Sequence, residues 1–241
     1  MNNIDKLQEM INECNNIVFF GGAGVSTESG IPDFRSKDGL YNQKYDYPPE
    51  EILSHTFFIN KTSEFYKFYR DKLNALKYEP NITHNFLARL EKNKKLKCII
   101  TQNIDGLHQK AGSKRVYELH GSIYRNYCTK CNKFYEADMV FNSKGIPKCE
   151  CGGIIKPDVV LYEEPLDDTV IDESINSILS ADMLIIAGTS LTVFPACNLI
   201  RYFKGKYLVI INKDKTSSDS IADLVIHERL GDVFSKLVLE V

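Results

Sequence analysis

Four of the seven cysteines lie close together, as Cys128-Thr129-Lys130-Cys131 and, after seventeen intervening residues, Cys149-Glu150-Cys151. Two short-range thiolate pairs, each on its own loop, suit a tetrahedral zinc. Gly152-Gly153 beside them permits the tight turn that a ligand loop needs. Four thiolates complete the shell and leave no position for water, so zinc here is expected to be structural. The second pair is C-x-C, one residue tighter than C-x-x-C, which constrains the ligand geometry. Cys14, Cys98 and Cys197 fall in apolar patterns and are expected to pack in the core. An odd cysteine count with such a cluster points to a cytosolic metal site, not a disulfide framework.

A second group is the run Gly21-Gly22-Ala23-Gly24-Val25-Ser26-Thr27. Glycines there allow a sharp turn that aims backbone N–H groups at a pyrophosphate. A tight strand-to-helix turn accounts for them equally. Thr27 stands where the dehydrogenase fingerprint has its third glycine, and no acidic residue ends a second strand about twenty positions on, so hydride transfer is not favoured. The stiff segment Gly30-Ile31-Pro32-Asp33-Phe34-Arg35 follows instead. Polar groups also follow other apolar runs. Thr101-Gln102-Asn103-Ile104-Asp105-Gly106-Leu107-His108 can fix a ribose and a carboxamide, or form an Asn/Asp/Gly turn. His120-Gly121-Ser122 offers a group able to act as a base near neutral pH. Gly188-Thr189-Ser190 and Asn212 repeat the pattern.

These residues need a frame. Ile17–Phe20, Leu96–Ile100, Val116–Leu119, Val159–Leu161, Met183–Ala187, Tyr207–Ile211 and Leu224–Ile226 read as buried strands. Helical spacing marks Ile4, Leu7, Ile11 and Cys14, then Thr83–Leu90, Thr169–Leu179 and Pro195–Phe203. Asp232 is expected to cap a closing helix carrying Val233, Leu237 and Val238. Strands alternating with helices predict an α/β fold with a Rossmann-like parallel sheet, helices on both faces, and ligands beyond the carboxyl strand ends. Two excursions break the rhythm. Residues 36–77 are rich in Tyr, Phe and Lys, and 124–155 hold the cysteines; together they are expected to form a small helical and zinc-binding domain. Residues 1–35, 78–123 and 156–241 are left for the sheet domain.

At 241 residues the chain can bury a full core without staples. The net charge of −2 argues against gripping nucleic acid by bulk charge. No apolar run approaches the roughly 18–20 residues of a membrane span. The polar, amphipathic start MNNIDKLQEMINECNN is not a secretory signal. The short chain predicts a bacterial cytoplasmic protein.

Taken in order, GAGVSTESGIPDFR, TQNIDGLH, HGS, the four-cysteine module, KPDVVLYEE and GTSLTVFPA closely resemble the sirtuin family of NAD-dependent protein lysine deacylases, above all its short bacterial members. The likeness covers essentially the whole chain. It implies that NAD and an acyl-lysine peptide meet between the sheet domain and the zinc domain. Gly22, Ala23 and Gly24 would cradle the pyrophosphate, with Thr27 close by. Phe34 would shield the reactive ribose carbon from water, and Arg35 would order the cofactor loop. Gln102 would bind the nicotinamide ribose. Asn103, Ile104 and Asp105 would line the nicotinamide pocket, with Asp105 on the carboxamide, and Asn103 and Asp105 would join His120 in the catalytic set. Thr189, Ser190 and Asn212 would bind the adenosine half. Val160, Leu161 and Tyr162 would offer backbone to an extended peptide as an added strand. The implied chemistry begins with attack of the acyl oxygen on the ribose C1′ of NAD, releasing nicotinamide. His120 then deprotonates a ribose hydroxyl, and free lysine and O-acetyl-ADP-ribose result.

Two departures bear on specificity. Succinyl-preferring members carry a Tyr with an Arg three residues later. Here Tyr66 is followed by Tyr69, and the guanidinium comes one later, at Arg70. One residue re-aims a helical side chain by about 100°, so acetyl is expected to be preferred over succinyl. The family motif V-V-W-F-G-E reads Val159-Val160-Leu161-Tyr162-Glu163-Glu164, with Glu163 where Gly stands. Rival readings are a mono-ADP-ribosyltransferase using the same residues, and a non-catalytic NAD or ADP-ribose sensor, which would be expected to lose His120. A zinc-ribbon nucleic-acid binder is disfavoured. Residues 124–155 hold five Lys/Arg against three Asp/Glu, and a zinc tetrathiolate carries about −2.

Overall fold

The structure, a computed structural model, describes residues 2–33, 39 and 45–239. The chain opens with α1 (Asn3–Glu13), capped by Asn2, whose side chain accepts from the N–H groups of Ile4 and Asp5, each at 2.9 Å. Then come β1 (Ile17–Gly21), α2 (Pro49–Ile52), α3 (His55–Asn60), α4 (Thr62–Lys72), α5 (Ile82–Lys92), β2 (Leu96–Thr101), α6 (Leu107–Lys110) and β3 (Val116–Glu118). The small sheet and its helix follow as β4 (Gly121–Cys128), β5 (Phe134–Glu136), α7 (Ala137–Phe141) and β6 (Ile155–Val159). The chain closes through α8 (Asp168–Ser180), β7 (Met183–Ala187), β8 (Tyr207–Ile211), β9 (Leu224–Ile226) and α9 (Leu230–Phe234).

Six parallel strands form the main sheet in the order β3-β2-β1-β7-β8-β9. This is the doubly wound, Rossmann-like order, and its direction reverses between β1 and β7. The central strands β1, β7 and β8 are buried on both faces, which is why they read as unbroken apolar runs. Along β1, Ile17 and Phe19 enter a core with α1, α5 and α9, while Val18 and Phe20 enter a second core with α8. Cys14, Cys98 and Cys197 are all buried in these cores, as expected. A second, antiparallel sheet orders β5-β4-β6. Its apolar face shares one cluster with Phe57, Phe58, Phe65, Tyr66 and Tyr69 from the helical excursion.

Three local expectations are corrected. The run Val159–Leu161 is not a strand of the main sheet. The strand there is β6, which ends at Val159 and pairs antiparallel with β4. Asp232 does not cap the last helix but lies in its first turn, and Arg229 holds the cap position. Val233 and Leu237 are buried, whereas Val238 is exposed. The helical pattern over Pro195–Phe203 is a 3-10 helix, Ala196–Tyr202.

Candidate functional site

The carboxyl ends of β1, β2 and β7 meet at the point where strand order reverses, and the polar residues gather there. Gly22 and Gly24 owe their lack of side chain to this meeting. A Cβ on Gly22 would come within 2.7 Å of Thr189, and one on Gly24 within 2.7 Å of Gly188. Their N–H groups are engaged as well: Gly22 donates to the Ala187 carbonyl at 3.2 Å and Gly24 to that of Gly188 at 2.8 Å. These glycines therefore serve the close approach of two loops. Asn81, at the start of α5, fixes the same loop by donating Nδ2–H to the Val25 carbonyl at 2.8 Å.

Ser26, for which the sequence pattern implies no role, is a buried hub. Its hydroxyl donates to Asp105 Oδ2 at 2.6 Å and accepts from Asn103 Nδ2 at 3.1 Å. Asp105 Oδ1 accepts the Leu107 N–H at 2.9 Å. Burial raises the Asp105 pKa, and the Ser26 and Leu107 bonds offset part of that rise. Ile104 packs at the edge of the small lobe's apolar cluster. Gln102 crosses the gap to β7 by donating Nε2–H to Thr189 Oγ1 at 3.1 Å.

His120 is partly buried just beyond β3. Its Nδ1 lies 2.9 Å from the Gln102 carbonyl. A carbonyl only accepts, so Nδ1 carries the proton and Nε2 keeps its lone pair. Burial lowers the pKa below the usual 6.5, and the carbonyl bond works against that. The imidazole is thus held neutral in one tautomer. Gly121 behind it has φ +74°, and a Cβ there would lie 1.9 Å from the Asp158 carbonyl, so only glycine lets the chain leave His120 in this direction.

The remaining expected residues are less concentrated. Ser190 is exposed and shares a 2.8 Å hydrogen bond with Thr192. Asn212, at the end of β8, donates Nδ2–H to the Asp214 carbonyl at 2.8 Å. Thr27 is exposed and donates to the Gly24 carbonyl at 3.0 Å. Phe34 and Arg35 lie outside the described residues. The backbone of 160–162 is not a free strand edge in this conformation. Val160 N–H donates to the His120 carbonyl at 3.0 Å, Tyr162 N–H to that of Leu53 at 2.9 Å, and Leu161 N–H to Glu164 Oε2 at 2.9 Å. An added peptide must use other groups or displace these.

Below the small sheet, the Sγ atoms of Cys128, Cys131, Cys149 and Cys151 lie within 4.8 Å of one another. Zinc–sulfur bonds of about 2.3 Å in a tetrahedron put sulfurs about 3.8 Å apart. Cys128–Cys151 at 3.4 Å and Cys131–Cys149 at 3.6 Å fit that shape. The C-x-C pair reaches it because Gly152 takes φ +79° and Gly153 leaves room that a Cβ, 2.5 Å from Cys128 Sγ, would fill. The donor set fits a closed structural zinc.

The pattern of the Sir2 family matches residues 22–195. A protein of Clostridium perfringens named NAD-dependent protein deacetylase is 59% identical over 239 residues, covering 98% of each chain. A solved structure described as Sir2-p53 peptide-NAD+ superposes with a TM-score of 0.86 at 36% identity, covering 98% of this chain and 97% of that one. Another, described as Sir2 bound to acetylated peptide, gives 0.87 at 35% identity, with the same coverage.

Proposed function

Because this chain belongs to the Sir2 family, we propose that its cleft performs NAD-dependent deacetylation of protein lysine, with His120 as the base. The observation that carries the assignment is the fixed tautomer of His120. The Gln102 carbonyl holds Nδ1–H at 2.9 Å and leaves Nε2 able to take a proton. NAD as co-substrate supplies an electrophilic ribose carbon once nicotinamide departs. His120 Nε2 takes the proton of the ribose hydroxyl that closes on the acyl group. Asp105, held by Ser26 and the Leu107 N–H, accepts from the nicotinamide carboxamide, and Asn103 orders the same pocket. Gln102 and Thr189, already joined across the switch point, bind the ribose and adenosine sides. Gly22, Ala23 and Gly24 form the floor of the pyrophosphate cradle, the Gly22 and Gly24 N–H groups being spent within the fold, with Ser190 and Asn212 further along the carboxyl ends of the strands. Four cysteines hold zinc that shapes the smaller lobe and takes no part in the reaction. Among the described residues no helix is long and apolar enough to cross a membrane. Thiolate ligands are kept available by a reducing cytoplasm.

The acyl group is acetyl in preference to succinyl. Tyr66 is fully buried with its hydroxyl on the Ile155 carbonyl. Tyr69 is fully buried and stacked on Phe141, ring centroids 5.2 Å apart. Arg70 Nη1 donates to the Gly145 carbonyl at 2.8 Å and to Ser143 Oγ at 3.2 Å. This helix therefore buries Tyr66 and Tyr69 and ties the Arg70 guanidinium to residues 143 and 145 of the small lobe. Acetyl and succinyl forms of one peptide, incubated with NAD and analysed by mass, test both claims. Free lysine peptide with acetyl-ADP-ribose, formed faster from the acetyl form, is expected. Faster desuccinylation overturns the acyl preference, and an ADP-ribosylated protein in place of free lysine overturns the deacetylase reading.

A further inference from the structure

Residues 161–164, which leave β6, lie against residues 53–56 at the start of α3. The backbone join is slight. Tyr162 N–H donates to the Leu53 carbonyl and His55 N–H to the Tyr162 carbonyl, each at 2.9 Å, forming one parallel bridge between Ser54 and Tyr162. Two successive carboxylates reinforce it. Glu164 Oε1 meets His55 Nδ1 at 2.8 Å, while its Oε2 accepts from Lys156 Nζ at 3.0 Å and from Leu161 N–H at 2.9 Å. Glu163 Oε2 accepts the Thr56 N–H at 2.8 Å. That N–H belongs to the first turn of α3, where backbone donors lack intrahelical partners.

Glu163 makes this bond from an unusual backbone. Its φ is +74°, in the left-handed region that favours glycine. The family motif has glycine at this position. A glycine would remove the backbone penalty but leave Thr56 N–H without the carboxylate. What a glutamate adds here is therefore the side-chain anchor to α3, and it adds it beside residues 160–162.

We propose that Glu163 is a positioning residue for the substrate peptide, its carboxylate fixing residues 160–162 against α3 in the arrangement that receives the acyl-lysine segment. The proposal rests on the reading of 160–162 as the peptide contact. Steady-state kinetics with peptide and NAD varied separately, on wild type, Glu163→Ala and Glu163→Gln, test it. Loss of one hydrogen bond to a charged group predicts that Glu163→Ala raises the peptide KM about tenfold or more. The NAD KM and kcat stay near wild type. Glu163→Gln keeps an oxygen for Thr56 and restores the peptide KM. An unchanged peptide KM in Glu163→Ala, an equal rise in both variants, or a loss carried by kcat overturns the proposal. Hydrogen exchange of amides 53–57 and 160–164 reads the anchor without turnover. Faster exchange in Glu163→Ala, but not in Glu163→Gln, is expected, and unchanged exchange overturns the anchor. Absence of NAD-dependent turnover in wild type counts instead against the deacetylase reading.

Discussion

At the scale of single residues, the proposed chemistry turns on a histidine kept neutral. His120 serves as a base only when Nε2 is unprotonated, and burial lowers its pKa below 6.5. Lowering the pKa of a basic group keeps the active form present down to lower pH. The logarithm of kcat/KM is therefore expected to stay level from pH 8 to below 6.5 and to fall only as pH drops through the lowered pKa. An inflection above pH 7 in that profile contradicts the assignment. His120 was legible because it follows an apolar run directly, with Gly-Ser after it. Ser26 was not. Its role depends on Asp105 and Asn103, which are 79 and 77 residues away, and no local period carries such a contact. Glu163 was visible as a departure, but its partner Thr56 lies 107 residues back.

At the scale of elements, the zinc module and the start of α5 make separate predictions. The binding energy of a structural zinc, on the order of 10 kcal/mol, is largely folding energy of the unit it closes. Cys128→Ala is expected to release zinc, measured as metal per chain, and to lower the melting temperature through loss of the small sheet. A stable, active, zinc-free variant contradicts this. Beneath the start of α5, His84 and His108 face each other, ring centroids 4.7 Å apart, both buried. Burial pushes the His84 pKa down to about 4 and that of His108 well below 6.5. Both groups are neutral in the fold, so the unfolded chain binds more protons as pH falls below 6.5. Above pH 6.5 neither state binds a proton at His84 and the linked term is zero; below it the unfolded state is favoured by a term that grows to about 3 kcal/mol near pH 4. Melting temperature should therefore drop steeply across that window. His84→Gln, which can still accept the Asn81 N–H in the capping box, should flatten the drop. An equally steep fall in that variant contradicts the role given to His84. The facing pair was hidden in the sequence because 24 positions separate two residues with no shared pattern.

At the scale of the whole molecule, the main sheet was legible and the smaller one much less so, for a physical reason. Strands buried on both faces, such as Met183–Ala187, read as solid apolar runs. β4 mixes buried and half-buried positions without a regular period and carries Arg125, which bridges Glu118 at 2.6 Å and Asp158 at 2.7 Å. Its sequence looks like a loop until its neighbours are known. Val159–Leu161 misled in the opposite sense, since three apolar residues can end an antiparallel strand as easily as form a parallel one. The cysteine spacing compensated by marking the second lobe without any strand signal. With both lobes placed, the central claim is that the cleft transfers an acetyl group from lysine to NAD-derived ADP-ribose under the control of His120. Mass spectrometry of an acetyl-lysine peptide incubated with the wild-type protein and with His120→Ala, each with and without NAD, tests it most directly. The account predicts deacetylated peptide, nicotinamide and acetyl-ADP-ribose from the wild type only when NAD is present. It predicts turnover lower by a factor of about 10² or more in a folded, zinc-loaded His120→Ala. Deacetylation without NAD, or wild-type turnover in the variant, contradicts it.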